Sequence, residues 1–276
     1  MDMAGITADT NVYGVLKDNN GKPTGELMEM AAKYMAYRQT GNPFFGGIKT
    51  PSLLRYAESA VNCGVTTATD LFASFNEESL AAYAEASKTP GYALRLMPAL
   101  NTIEQSIDEG IALAKRALRD NNDRLHHRLC KVMTDGSIQG FTARLKWPGY
   151  HNGKPNGLWN LDPDTLGELV LEYHKAGLHL HIHTNGDEAS ELMLDALEAA
   201  QLACPRPDHR HTLQHCQMAD ASQFRRMAKL GVCVNLFANH IYYWGDQHAA
   251  ITMGPDRANR MDAAGTAQNE GVHYSI

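Results

Sequence analysis

The sequence predicts an α/β fold, a (β/α)8 TIM-barrel that is incomplete in this chain, with seven strand positions, one short of closure. Three observations predict it. From residue 50 onward, short β-rich runs alternate with longer helical patterns, the signature of repeated βα units around a parallel sheet. No GxGxxG or GxxxxGKS/T turn follows an early strand, so a doubly wound nucleotide-binding sheet has no phosphate cradle to offer. Lys131, His183 and His215 each lie near the C-terminal end of a strand-like run, where barrels of this kind collect reactive groups.

The elements follow in order. "TPSLLRYAESAVNCG" reads as a helix with Thr50 as N-cap, Pro51 at the first helical position and Gly64 past its end. "VTTATDL" reads as a strand, "NEESLAAYAEASKT" as a helix and "YALRLMPAL" as a strand. "TIEQSIDEGIALAKRALRD" sets Ile103, Ile107, Ile111 and Ala114 on one helical face. "HRLCKVMTD" is the next strand, followed by a long loop rich in Gly, Pro, Asn and Trp, a length that in a compact domain usually serves function. Asp162 and Pro163 open the helix "DTLGELVLEYHKAG", and "LHLHIHT" is a strand carrying His179, His181 and His183 at alternate positions. Helix "DEASELMLDALEAAQLA", strand "RHTLQHCQ", helix "ADASQFRRMAKLG" and strand "VCVNLFAN" come next, and "VHYSI" begins a last strand.

Composition narrows the function classes. The chain has 276 residues, 43% of them hydrophobic and 20% charged, ordinary for one large globular domain. A net charge of −6 gives no basic footprint, so nucleic acid and membranes are not expected partners, and a small-molecule substrate is. A homo-oligomer is left open. Five cysteines without CxxC spacing read as reduced core thiols of a cytoplasmic protein.

Imidazoles are common nitrogen ligands of zinc and related ions, so His183 and His215 on neighbouring strands suggest a metal site with an open coordination position. Lys131 is an odd third member unless CO2 has converted its amine to an anionic carbamate. The bland readings stand beside this one: strand histidines are mostly hydrogen-bonded residues, strand lysines mostly reach solvent, and Asp135 and Asp187 would serve as turn and cap residues.

At these residues the sequence resembles the amidohydrolase superfamily, specifically its amidohydrolase family 3 branch. "AGITADT", "GKPTGELMEMA", "GVTTATD", "KVMTDGSIQGFTA", "GLHLHIHTNGD" and "RHTLQHCQMAD" match that branch in order. The resemblance implies a metal-dependent hydrolase acting on a carbon–nitrogen (amide-like) bond through metal-activated water. It makes Lys131, His183 and His215 both metal ligands and catalytic residues, with Lys131 as a bridging carboxylated lysine. The cofactor would be one or two divalent ions, zinc foremost. Asp187 would stand behind the ligands or cap a helix, and Asp135, Trp147, Tyr150 and His240 would be on the substrate side. Gln214 departs from the branch's usual Glu. The first-strand HxH and the eighth-strand Asp are missing, so the chain is expected to be a fragment. Residues 1–50 would be the family's insertion between strands 1 and 2, and 51–276 a partial barrel. Two rivals remain: a catalytically inactive partial barrel kept as a binding or scaffold protein, and a metal-independent isomerase, which lacks its Gly-rich phosphate loop.

Overall fold

The structure is a computed structural model that describes residues 1–41 and 47–276. Residues 42–46, near the end of the segment expected to be an insertion, lie outside the described residues. In chain order the elements are β1 (Val15–Lys17), β2 (Pro23–Leu27), α1 (Glu29–Thr40), α2 (Thr50–Asn62), β3 (Thr67–Ala73), α3 (Glu77–Lys88), β4 (Arg95–Asn101), α4 (Ile107–Ala117), β5 (Leu129–Met133), α5 (Pro163–Lys175), β6 (His179–Thr184), α6 (Asp187–Ala203), β7 (Thr212–His215), α7 (Ala221–Leu230), β8 (Cys233–Leu236), α8 (Asn239–Gln247), α9 (Pro255–Ala258), α10 (Ala264–Asn269) and β9 (Tyr274–Ser275). The seven strands expected from residue 50 onward are all present, as β3 to β9. The chain forms two compact units, one of residues 42–132 and one joining 1–41 to 133–276.

In the 42–132 unit, β3 and β4 pair in parallel from Thr67 opposite Arg95 to Ala73 opposite Leu100. The parallel pairing continues from β4 to β5, where Asn101 faces Lys131. Leu96, Ala99, Leu100, Leu129 and Cys130 are buried, and α3 buries Leu80, Tyr83 and Ala86. Two helix starts differ from the sequence expectation. α2 begins at Thr50 itself, with Lys49 in the cap position, because the Thr50 hydroxyl is spent on Glu85 Oε2 at 2.7 Å. α4 begins only at Ile107, because Ser106 and Glu109 close a reciprocal capping box there.

In the other unit, β6 to β9 run parallel, with His181 opposite Thr212, Thr212 opposite Cys233 and Val234 opposite Tyr274. α5 starts as expected, with the Asp162 carboxylate accepting the Asp164 N–H and Pro163 in the first turn. α7 is closed at its start by an Asp220–Gln223 capping box and at its end by Gly231 at φ 71°. Residues 1–41 form an antiparallel β1–β2 pair and α1 around a small core of Ile6, Val15 and Ala32. The long loop after β5 has a core of its own, in which Ile138, Ala143, Leu145 and Tyr150 pack with Met218, Met253 and Met261.

The cysteines are free thiols. Cys130 and Cys216 are buried, but Cys63 is exposed, which corrects the expectation that all five belong to the core. Among the described residues no helix is long and apolar enough to cross a membrane.

Candidate active site

Strand alternation places His179, His181 and His183 on one face of β6, while Leu180, Ile182 and Thr184 are buried on the other. The register carries that face to Thr212 and Gln214 of β7. By the same alternation His215 should turn to the Leu213 side, away from His183. It does not, because the backbone is left-handed at His215 (φ 74°) and again at Cys216 (φ 47°). The His215 ring instead meets the His183 ring edge-on, with centroids 4.7 Å apart and planes 68° apart. Such a backbone costs a residue with a side chain about 1–3 kcal/mol, a strain typical of functional sites.

The His183 ring is held from behind. Its Nε2 lies 3.1 Å from the Gly136 carbonyl and 3.6 Å from Asp135 Oδ1. The Asn185 side-chain amide nitrogen lies 3.1 Å from the same Nε2, so the ring edge is held between a carbonyl and an amide. The Asn185 amide donates to the same carbonyl at 2.7 Å. Asp135, fully buried, accepts backbone N–H groups from Asn185 (3.0 Å), Gly186 (2.9 Å) and Arg144 (3.0 Å), so one carboxylate braces the loops after β5 and β6. Burial pushes its carboxyl up to about 7 against the pull of those three donors.

Two glycines explain the DGS and NGD motifs. A Cβ at Gly136 would collide with the Thr142 hydroxyl and Glu29, and one at Gly186 would fall inside the Arg144 carbonyl. Glu29 accepts the Thr142 hydroxyl at 2.6 Å, which ties α1 to this loop. The expected Asp187 starts α6, and its Oδ1 accepts the Lys146 N–H at 2.8 Å.

The other expected residues are placed as follows. Lys131 belongs to the 42–132 unit, is 5% exposed, and its carbonyl accepts both the N–H and the hydroxyl of Thr102. Tyr150 is buried, and its hydroxyl donates to the Ala143 carbonyl at 3.0 Å. Trp147 is 95% exposed. His240 packs on Phe237, which packs in turn on His215. Gln214, at the position where a Glu was expected, contacts His181 Nδ1 at 2.7 Å. Asn185, Glu29 and Phe237 went unnoticed in the sequence. Of these, Asn185 and Glu29 carried a signal, their places inside HTNGD and GKPTGELMEMA.

Whether these residues suit a divalent metal is a question of donor chemistry. Two imidazoles converge, and the His183 ring is held in place by buried polar partners, as ligand rings commonly are. They amount to two of the three protein ligands typical of a catalytic zinc site. Among the described residues no three His, Cys, Asp or Glu side chains are grouped to hold a metal.

Comparison with known proteins shows the family. The profile of the amidohydrolase family matches residues 1–276, and the chain belongs to that family. It is 24% identical over 280 residues to the putative amidohydrolase YtcJ of Bacillus subtilis, covering 99% of this chain and 50% of that protein. It is 24% identical over 260 residues to the N-substituted formamide deformylase of Arthrobacter pascens, covering 89% of this chain and 46% of that protein. The chain therefore spans about half the length of these curated relatives. Its fold is similar to that of an uncharacterized metal-dependent hydrolase from Pyrococcus furiosus, with a TM-score of 0.69 at 18% identity, over 100% of this chain and 54% of that one.

Proposed function

We propose that the protein is a metal-dependent hydrolase of an amide-like carbon–nitrogen bond, with His183, His215 and Lys131 as ligands of a divalent ion, zinc foremost. The observation that carries this is the meeting of His183 and His215 through a strained backbone, with the His183 ring held from behind. When bound, such an ion polarises a carbonyl and makes water acidic enough to attack near neutral pH. The chain's own residues have separate tasks. His183 and His215 offer neutral nitrogen donors, Asp135 and Gly136 hold the His183 ring in place, and Lys131 as a carbamate adds an anionic oxygen. The loop from Gly136 to Asn160, with Trp147 exposed on it, selects the substrate. The parallel β3 to β9 correspond in this reading to strands 2 to 8 of a (β/α)8 barrel, and the name of the Arthrobacter relative supports an amide as the substrate class.

The inactive-barrel reading takes support from the absence of a group of three His, Cys, Asp or Glu ligands among the described residues. One measurement separates the two. Purified protein supplied with zinc should retain close to stoichiometric metal by elemental analysis, and the His183→Ala/His215→Ala double variant should lose most of it. Undiminished metal in the double variant would defeat the hydrolase reading, and a wild-type protein that holds none would favour the inactive barrel.

A further inference from the structure

Phe237 follows directly on the C-terminal end of β8 and is 40% exposed. A large apolar side chain left open to water is common enough on a protein surface. This one differs in where it stands and how it is held. Its ring meets the His215 ring at 5.6 Å, with planes 66° apart, so it flanks a proposed metal ligand.

Two anchors fix it. Its backbone N–H donates to Asp262 Oδ1 at 3.0 Å, and Asp262 is buried and itself in the left-handed region at φ 47°. The ring also leans on His240, with centroids 4.7 Å apart. His240 in turn stacks parallel on the fully buried His248 at 6.2 Å, and His248 Nδ1 is tied to Thr252 Oγ1 at 2.8 Å. The support therefore runs unbroken from the interior to an exposed phenyl face. An aromatic ring immobilised in this way loses little entropy when it meets a ligand, which is how recognition surfaces are pre-organised. The apolar surface continues along α8, where Ile241 and Trp244 are exposed as well.

We propose that Phe237 is the specificity-determining wall of the substrate site, and that the site takes amides bearing a planar apolar, aryl-type substituent. Asp262 and His240 are positioning residues that hold the wall against His215. The amide scaffold rests on the hydrolase reading above, whereas the aryl preference rests on Phe237 alone.

The test is binding, measured by calorimetry on the purified protein with two probes, N-benzylacetamide and N-methylacetamide. Filling an apolar subsite with a ring should make the benzyl probe bind about ten-fold tighter or better. Phe237→Ala should abolish most of that preference, and Phe237→Leu, which keeps apolar volume, should retain part of it. Asp262→Asn should weaken the preference without removing it. Equal affinity for the two probes in the wild type overturns the proposal and needs no variant. So does a preference that survives Phe237→Ala, or a structure in which another polypeptide segment covers the ring. Turnover is read separately: a benzyl preference without hydrolysis of either probe sinks the hydrolase reading and leaves the wall standing.

Discussion

At the scale of single residues the site depends on a backbone conformation that costs free energy. His215 at φ 74° has its ring where a regular strand would not put it. Alanine at that position keeps the strain and loses the ring, whereas glycine loses both. His215→Gly should therefore unfold at higher denaturant than His215→Ala, by about 1 kcal/mol, because the left-handed region costs residues with a Cβ about that much. Chemical denaturation of the two metal-free variants checks it, and equal stability would mean that the backbone there is relaxed. This strain was not legible in "TLQHCQ", since the residues that announce a left-handed backbone, glycine or asparagine, are missing from it. His183 and His215 were legible as candidates, because each falls near the end of a β-rich run. Asp135 was legible as a site residue, but its three backbone partners were not, because a main-chain N–H has no letter of its own.

At the scale of elements, a second set of histidines ties the end of α5 to the entry of β7. The His211 Nδ1 accepts the Leu180 N–H at 3.0 Å, so its Nε2–H donates to His174 Nδ1 at 2.8 Å, and the His174 Nε2–H donates to the Cys204 carbonyl at 2.7 Å. His209 Nδ1 accepts the His211 N–H at 2.9 Å. Every ring is used in its neutral form. Burial holds His174 and His209 below the usual histidine range and His211 well below it. The unfolded chain takes up protons near the ordinary value of about 6.5 while the folded chain refuses them, so stability is full above that pH and falls as pH drops below it. The slope cannot exceed about 1.4 kcal/mol per pH unit for each histidine. Urea midpoints between pH 7.5 and 5 should show the fall, and His174→Gln should flatten it; an unchanged slope in that variant would remove the network as the cause. Element boundaries were legible where a cap has its own residue types, as at Asp162, Pro163 and Gly231. The start of α4 was misplaced because the apolar spacing continues upstream of its capping box. Helix α1 escaped notice because it buries Ala32 alone and has no apolar stripe to read.

At the scale of the whole molecule, the described residues leave the two end strands of the parallel sheet paired on one side only. β3 pairs with β4 and β9 with β8. An edge strand presents unpaired backbone N–H and C=O groups, so these edges are the places where a sheet of this kind can take a further strand. β9 has two residues, too short to template much pairing, whereas β3 has seven, with Thr67 and Thr69 exposed. An edge of that length with no charge at those two positions invites another chain to add to it. The 276-residue chain by itself should therefore self-associate as its concentration rises, in sedimentation velocity. Thr69→Lys places a charge on that edge, which natural sheets use to discourage pairing, and should shift the distribution toward monomer without lowering the unfolding midpoint. Association undiminished by Thr69→Lys would show that copies meet elsewhere, and the exposed aromatic residues of α8 would then be the next surface to alter.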